Sequence, residues 1–491
     1  MLTQHSTVES GRQLVGISET PRGTSGQNRR ADADLFGHAA DWMHGIIGRA
    51  WLTRPLLSIR AAAQVAWMHR PTTLEIGRAI GDRGAMLTAI YPVRSLLLAI
   101  FLLMLGNGFV ATLLSIRLES ANASAPVIGV MAAAYFAGLM LGSLRISPVI
   151  ARVGHIRAFA AVVSLLSAST LAYSLYMHPA FWMVLRLIDG LCVAGVFVCL
   201  ESWLNQRAES LTRGTILAAY MIALYSGQAA GQFLLNMGGS LMLPFVISSI
   251  LVTLSAIPVL LTRIEGPQTG TPETLSLRLL YSASPLGMVG VGTTGLILGA
   301  FYGLGPVYAS RLGLDLKGVS VFMSCVIAGG VVLQGPLGHL SDRFDRRRVI
   351  VFVLMCGLAA SLALGALGGT ALLPVFGALF GGLAFALYPL CVAHTNDRLT
   401  SDQRLSASGG LILVYSIGAV AGPLGGAVAM SAFGAAGLFW FVGGALALAL
   451  VFAVWRQART EAVDDALQQP FQPLPRTTTM TAPLEPASDE V

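Results

Sequence analysis

Apolar residues dominate the chain from about Pro92 to Trp455 and are interrupted at intervals by short polar segments. A helix of about 20 apolar residues crosses a hydrocarbon core of roughly 30 Å, and each run reaches that length. In lipid, only helices or closed barrels satisfy every backbone polar group, and runs this long favour helices. The pattern predicts an all-α membrane protein with twelve transmembrane helices, at about 92–117, 127–150, 157–178, 181–205, 214–237, 240–262, 285–310, 318–341, 348–368, 371–396, 405–430 and 433–455.

Composition and charge agree with that pattern and predict its orientation. Hydrophobic residues make up 55% of the chain and charged residues 11%, against about 25% charged in soluble domains. With the start of the first helix in the cytoplasm, sixteen arginines lie on the inner side, and Arg117, Arg311 and Lys317 lie outside. This positive-inside bias predicts that both termini are cytoplasmic. The net charge of +7 therefore reflects topology, and no nucleic-acid partner is expected.

The twelve predicted spans fall into two halves that share features at an offset of about 190 residues. Gly190 corresponds to Gly382, and Asn205 corresponds to Asn396. Such colinear matches indicate a duplicated six-helix unit with a solute site between the halves. The predicted domains are an N-terminal extension, 1–85, a six-helix bundle, 86–262, a cytoplasmic linker, 263–284, a second six-helix bundle, 285–456, and a disordered tail, 457–491.

A charged turn at 338–348 joins the eighth and ninth predicted spans. It reads Gly-His-Leu-Ser-Asp-Arg-Phe-Asp-Arg-Arg-Arg. Glycine lets the helices approach closely, carboxylates accept hydrogen bonds, and arginines donate them and hold the turn on the inner side.

This turn resembles the cytoplasmic loop signature of the major facilitator superfamily, Gly-x-x-x-Asp-Arg-x-Gly-Arg-Arg/Lys. Asp345 stands where that pattern usually has glycine. A degenerate copy at 142–157 keeps Gly142 and arginines but lacks the acidic residue. The run Arg186-Leu-Ile-Asp189-Gly190 in span four is similar to the family's Arg-x-x-Gln-Gly signature. Residues 86–456 therefore look like a member of this superfamily.

The branch of the superfamily is indicated by spans five and eleven. The segment Gly422-Pro423-Leu-Gly425-Gly426 in span eleven resembles the glycine–proline motif that drug–proton antiporters carry in span five. Span five itself has Gln232 in the place of the proline, which weakens an antiporter assignment. The segment 200–232 looks most like the YcaD-like branch of bacterial transporters.

The resemblance implies two bundles that rock about a central site by alternating access. It also implies that the charged turn stabilises the outward-open state by holding the cytoplasmic ends of the halves together. Because the turn's counterpart at 142–157 is degenerate, we expect the inner gate to rest mainly on the second half. The predicted gating residues are Gly338, Asp342, Arg343, Arg346 and Arg347.

Ionisable side chains inside the spans are candidates for proton coupling, because such groups are costly in lipid and usually face a cavity or a partner. Arg186 and Asp189 are three residues apart on span four and can pair. The pair either fixes span four structurally or releases Arg186 when Asp189 is protonated. Glu201 is a lone carboxylate further along the same span, which either carries protons or contacts loop arginines such as Arg207.

Polar side chains on several spans are candidates for solute binding. Tyr225, Gln228, Gln232 and Asn236 share one face of span five. Such a stripe either joins helices or lines a cavity that hydrogen-bonds solute. The resemblance adds polar residues on the other spans that line the central cavity in this superfamily. The predicted solute-binding residues are Asn107, Tyr225, Gln228, Gln232, Tyr302, Tyr308 and Tyr388.

The termini and cysteines add little about function. The segment from about Asp41 to His69 is basic and amphipathic and could lie on the inner leaflet; alternatively, translation begins at Met86. All five cysteines fall inside apolar runs, without metal-ligand spacing. No nucleotide-binding or hydrolase motif is present, so neither a cofactor nor an enzymatic activity is expected.

These patterns predict a secondary transporter of the bacterial inner membrane that moves a small organic solute, with proton coupling. Drug or metabolite efflux and uptake by symport both remain open. A non-transporting sensor that keeps the fold is the alternative class. The expected partners are a small-molecule substrate, the lipid bilayer and protons, and the expected state is a monomer.

Overall fold

The structure, a computed structural model, describes residues 90–207, 212–238, 240–262, 276–459, 468 and 471. The predicted extension 1–85, the choice between Met1 and Met86, and most of the predicted linker lie outside the described residues. The described elements are all helical. The α-helices are α1 (Arg94–Asn107), α2 (Val110–Ser120), α3 (Ala125–Val153), α4 (His155–Ala172), α5 (Pro179–Arg207), α6 (Arg213–Gly231), α7 (Leu243–Leu260), α8 (Leu277–Ala283), α9 (Pro285–Arg311), α10 (Leu316–Arg343), α11 (Arg346–Ala366), α12 (Leu373–Asn396), α13 (Ser401–Phe433) and α14 (Gly437–Gln457).

Eleven helical segments in the described part of the chain are long and apolar enough to cross a membrane. They include α1 and α2 together, as one segment from Tyr91 to Ser120. The predicted span 214–237 is α6 followed by a 3-10 turn, Gln232–Asn236. It is not among the eleven, because the tyrosine, serine and glutamine side chains of α6 lower its mean hydropathy. A twelfth span therefore remains a prediction.

The helices form two bundles with the same pattern of packing. In the first bundle, α3 packs on α5, α1 on α6 and α7, and α4 on α5 and α7. In the second bundle, α10 packs on α12, α9 on α13 and α14, and α11 on α12 and α14. Each pairing in one bundle has its counterpart about 190 residues away in the other, which agrees with a duplicated unit.

Glycines let the most closely packed helices of each bundle approach. A side chain at Gly138 of α3 or Gly190 of α5 would collide with backbone carbonyl groups of the opposite helix. Gly329 of α10 and Gly381 of α12 make the same approach in the second bundle. The contact counterpart of Gly190 is therefore Gly381, and the predicted match with Gly382 is wrong by one residue. Close backbone contact between small residues is a common mode of helix packing in lipid.

The two bundles meet at the end of the molecule opposite the charged turn. We call the end that carries 338–348 the loop face and the other end the distal face. Helix α13 packs on α3, and both α6 and the 3-10 turn pack on α10. Polar contacts join the bundles in the distal half: Ser115 Oγ donates to the Gly303 carbonyl (3.0 Å), Asn236 Nδ2 donates to Ser320 Oγ (3.0 Å), and Arg311 Nε donates to Glu119 Oε1 (2.7 Å).

Large apolar side chains cover the outside of the bundles. Val332, Leu448 and Val451 are 68–75% exposed in the isolated chain. An exposed apolar surface on long helices is the surface expected to contact lipid tails.

Candidate functional site: a cavity between the bundles

A cavity of about 150 Å³ lies between the two bundles. Its walls come from α1, α2, α3, α5 and α6 of the first bundle and from α9, α10 and α13 of the second. Five of the seven predicted solute-binding residues line it, namely Asn107, Tyr225, Gln228, Gln232 and Tyr302.

The polar stripe of span five lines the cavity and also joins helices. Tyr225 and Gln228 line the cavity, and Tyr302 Oη donates to Gln228 Oε1 across the bundles at 3.4 Å. Gln232 also lines the cavity, but its amide is largely occupied in joining helices. Its Oε1 accepts from Thr112 (2.9 Å) and its Nε2 donates to the Gly108 carbonyl (2.9 Å), beside the break between α1 and α2.

Two predicted solute-binding residues do not line the cavity. Tyr308 is buried within the second bundle, where its hydroxyl donates to the Leu364 carbonyl at 2.6 Å and its ring packs on Phe439. Tyr388 is also buried, and its ring packs edge-on against Tyr415. In this structure Tyr308 stabilises its own bundle.

The Arg186–Asp189 pair lies at the edge of the cavity. Arg186 lines the cavity and is only 4% exposed. Its Nη1 is 3.7 Å from Asp189 Oδ2, which is longer than a hydrogen bond. The same Oδ2 accepts a hydrogen bond of 2.5 Å from Tyr173. The Arg186 guanidinium also stacks on the ring of Tyr135, with 4.1 Å between Cζ and the ring centroid.

Glu201 lies about three turns further along α5 and is fully buried. Its Oε1 accepts a hydrogen bond of 3.1 Å from Tyr220 on α6. This contact ties α5 to α6 near the loop face.

The charged turn is bound mainly to its own bundle. Arg346 Nη1 contacts both carboxylate oxygens of Asp397, at 2.6 and 2.7 Å, and both side chains are about 2% exposed. Arg346 Nη2 also donates to Asp342 at 3.3 Å. Arg343 is exposed. The turn thus joins the α10–α11 connection to the end of α12.

Asp345 begins α11 and orders the turn. Its Oδ1 accepts from the backbone N–H of Arg347 at 3.0 Å, and its Oδ2 accepts from Arg347 Nη2 at 2.7 Å. Burial alone would raise the pKa of Asp345, but the hydrogen bonds from Arg347 and the charges of Arg347 and Arg348 hold that pKa below its ordinary value. Asp345 is therefore ionised at neutral pH, as a helix N-cap prefers.

A residue of the tail packs on the same turn. The backbone N–H of Phe471 donates to Asp342 Oδ1 at 2.8 Å. The ring of Phe471 lies against Gly338, in the space that a side chain at this glycine would occupy. Besides Phe471, the structure describes four residues of the predicted disordered tail 457–491, namely Gln457, which ends α14, Ala458, Arg459 and Gln468. The rest of the tail lies outside the described residues.

Comparison with known proteins identifies the family. The sequence profile of the Major Facilitator Superfamily matches residues 96–370 and 317–483. The chain belongs to the major facilitator superfamily. This superfamily consists of membrane transporters that bind small molecules, so the protein is a membrane transporter.

Relatives in the superfamily support the same assignment. The uncharacterised MFS-type transporter YcaD of Escherichia fergusonii is 32% identical over 340 residues, which are 68% of this chain and 87% of that protein. YcaD of Salmonella paratyphi A is 31% identical over 346 residues, covering 69% of this chain and 88% of that protein. The sequence resemblance to the YcaD-like branch is thereby confirmed.

Solved structures share the fold of this superfamily member. The nucleoside transporter NupG matches with a TM-score of 0.60 and 14% identity, over 74% of this chain and 98% of NupG. A bacterial homologue of the human lysosomal transporter Spinster, in an inward-facing and occupied conformation, matches with a TM-score of 0.62 and 16% identity. That match covers 76% of this chain and 97% of the homologue.

Several residues that line the cavity were not predicted from the sequence. Thr112, Ser115, Tyr135 and Tyr415 line it, and Arg186 was predicted for proton coupling but not as part of the cavity wall. Tyr135 was detectable, because it lies on span two, one of the helices that face the partner bundle. Among the described residues, no cluster of potential metal ligands is present.

Proposed function

We propose that the protein is a proton-coupled secondary transporter that carries a small organic solute across the bacterial inner membrane by alternating access. The observation that carries this proposal is the cavity, because both bundles line it and Arg186 opens onto it. A site shared by two bundles changes its access when one bundle rocks against the other. One chain supplies all these cavity walls, which fits a monomer.

The orientation follows from the basic residues. We assign the loop face to the cytoplasm, since arginines concentrate at that end. The polar contacts named between the bundles lie in the distal half, where Glu119 meets Arg311 and Asn236 meets Ser320. This arrangement fits an inward-facing state, in which the charged turn bonds within the second bundle rather than holding the halves together.

We assign proton coupling to Asp189. It is fully buried, and one of its oxygens, Oδ1, accepts no hydrogen bond from the residues that the structure describes. Its contact with Arg186 is loose at 3.7 Å. A carboxylate in this setting can exchange a proton while its neighbours, Arg186 and Tyr173, remain in place. Glu201, which accepts from Tyr220, is the second candidate.

The test is solute-dependent proton movement in proteoliposomes that contain the purified full chain and a pH-sensitive dye. We expect a subset of small organic solutes to drive proton flux, and Asp189→Asn to abolish the coupled flux while solute still binds. Asp315→Asn is the matched control, since Asp315 caps α10 at the distal face, away from the cavity. Coupled flux that survives in both Asp189→Asn and Glu201→Gln would refute the proton assignment.

A sensor that keeps the fold without transporting is the second candidate. It requires the polar stripe to be packed away from any cavity. Tyr225 and Gln228 line the cavity instead, which supports transport. Solute binding without any flux, across the same solute panel and at several pH values, would favour the sensor.

A further inference from the structure

We propose that the cavity binds solutes that carry a single negative charge, with the anionic group on Arg186 and a hydrogen-bond donor of the solute on Asn107. This inference rests on the proposed transport function and names the chemical class of its substrate.

The first support is an unused donor on Arg186. Its Nε has no hydrogen-bond partner among the residues that the structure describes, although Arg186 is only 4% exposed and lines the cavity. Asp189 does not occupy the guanidinium fully, because their closest approach is 3.7 Å and Tyr173 already donates to the same carboxylate oxygen. An unpaired N–H on a buried cation is costly, and an anion in the cavity would compensate for it.

The second support is an unused acceptor on Asn107. Its Oδ1 has no hydrogen-bond partner in the described part of the chain, and the residue is 8% exposed in the same cavity. Tyr135 adjoins both groups, since its ring lies under Arg186 and its hydroxyl lies beside the Asn107 side chain. An anionic group and a nearby hydroxyl or N–H on one small solute would therefore satisfy both residues at once.

The charge and size of the cavity restrict the chemical class of the solute further. Among the described residues that line it, Arg186 is the one with a full charge, so a second anionic group would find no cation. The rest of the wall includes Met104, Met131, Phe136 and Met323, which suit an apolar or aromatic body. A cavity of about 150 Å³ is comparable to one that accommodates benzene. A compact aromatic monocarboxylate fits this description.

The position of Asp189 gives a reason for coupling such a solute to a proton. Asp189 and the solute anion share one cation, Arg186. When Asp189 takes up a proton, the guanidinium charge becomes available to the solute. When the solute leaves, Asp189 gives up the proton and pairs again with Arg186. One proton then moves with each monoanion, and the step carries no net charge.

Binding of three probes to the purified full-length protein tests the inference. The probes are salicylate, its neutral amide salicylamide, and the dianion phthalate, measured by isothermal titration calorimetry. We expect salicylate to bind about ten- to hundredfold more tightly than either other probe, the range expected for a charge-assisted hydrogen bond. Equal affinities for salicylate and salicylamide would overturn the inference.

Variants of the cavity provide the second arm. We expect Arg186→Gln combined with Asp189→Asn, which leaves no unpaired charge, to remove the preference for salicylate over salicylamide. Asn107→Ala should weaken salicylate binding. Arg145→Gln, at an exposed arginine on α3, is the matched control and should keep the preference. A folded double variant that still prefers salicylate would also overturn the inference.

The same probes separate this inference from the transport proposal. Proton-coupled flux of neutral solutes with no response to salicylate would refute the inference and leave transport intact. Salicylate binding that depends on Arg186, without flux of any solute, would refute transport and leave the anion site intact.

Discussion

The Arg346 guanidinium contacts carboxylates from two parts of the second bundle. It is 1% exposed, and it binds Asp397 at the end of α12 and Asp342 on α10. Asp397 is as buried as Arg346, whereas the side chain of Asp342 is 38% exposed. Asp397 should therefore contribute more to the stability of the turn than Asp342 does, although the loop signature does not contain Asp397.

Replacing Asp397 by Asn should lower stability strongly. Arg346 would lose its buried carboxylate partner and keep only the longer contact of 3.3 Å with the half-exposed Asp342, at a cost of up to about 3–5 kcal/mol. Asp342→Asn should cost less, since solvent screens the more exposed carboxylate. Thermal unfolding of the purified variants in one detergent compares the two. A larger loss of melting temperature in Asp342→Asn than in Asp397→Asn would contradict the structure.

Whether a residue faces the cavity can be predicted from the sequence where helix geometry alone determines the direction of its side chain. Tyr302 and Tyr308 are six residues apart on α9, which places their side chains about 120° apart around the axis. Tyr302 faces the cavity, and this rotation directs Tyr308 into the second bundle, towards Leu364 and Phe439. The cavity role of Arg186 was less accessible from sequence, because its spacing from Asp189 indicates a pair, whereas its exposure to the cavity depends on the packing of α3 and α5.

At the scale of elements, the contact between the tail and the turn depends on one glycine. The ring of Phe471 occupies the space beside Gly338, and its backbone N–H is held by Asp342. The glycine of the loop signature thus accommodates an aromatic residue of the tail in this conformation. This contact would compete with any approach of the first bundle to the same glycine.

Gly338→Ala and Phe471→Ala should show strong coupling in a double-mutant cycle. A methyl group at Gly338 overlaps the Phe471 ring, so in the wild-type background the overlap, about 1–3 kcal/mol, should outweigh the roughly 1 kcal/mol that alanine gains over glycine in a helix. Once Phe471→Ala has removed the ring, Gly338→Ala should be neutral or slightly stabilising. Gly335→Ala, one turn earlier with open space around it, is the control. Equal costs of Gly338→Ala in both backgrounds, measured by thermal unfolding, would show that the contact does not form.

The boundaries of most helices were predictable because hydropathy changes sharply at their ends. The predicted span 285–310 is the helix Pro285–Arg311. The predicted span 157–178 is too long, since α4 ends at Ala172. Leu175, Tyr176 and Met177 continue the apolar run but are 53–76% exposed in the connection. Hydropathy cannot distinguish a helix end from apolar residues that lie at the membrane interface.

At the scale of the whole molecule, two similar bundles enclose one cavity and meet through the distal face. The ion pair between Glu119 and Arg311 links the end of α2 to the end of α9 at that face. The pair is bidentate, at 2.7 and 3.0 Å, and its side chains are 20–27% exposed. Water can therefore replace these hydrogen bonds when the bundles separate at that face. This is the property that a gate between two conformations requires.

Cross-linking that face tests alternating access most directly. The variant carries Glu119→Cys and Arg311→Cys in a background without the five native cysteines, and a short thiol-specific cross-linker with a reducible bond joins the pair. In proteoliposomes, cross-linking should abolish proton-coupled solute flux, preserve solute binding, and be reversed by reduction. Undiminished flux in fully cross-linked protein would contradict the account that the two bundles alternate about the central cavity.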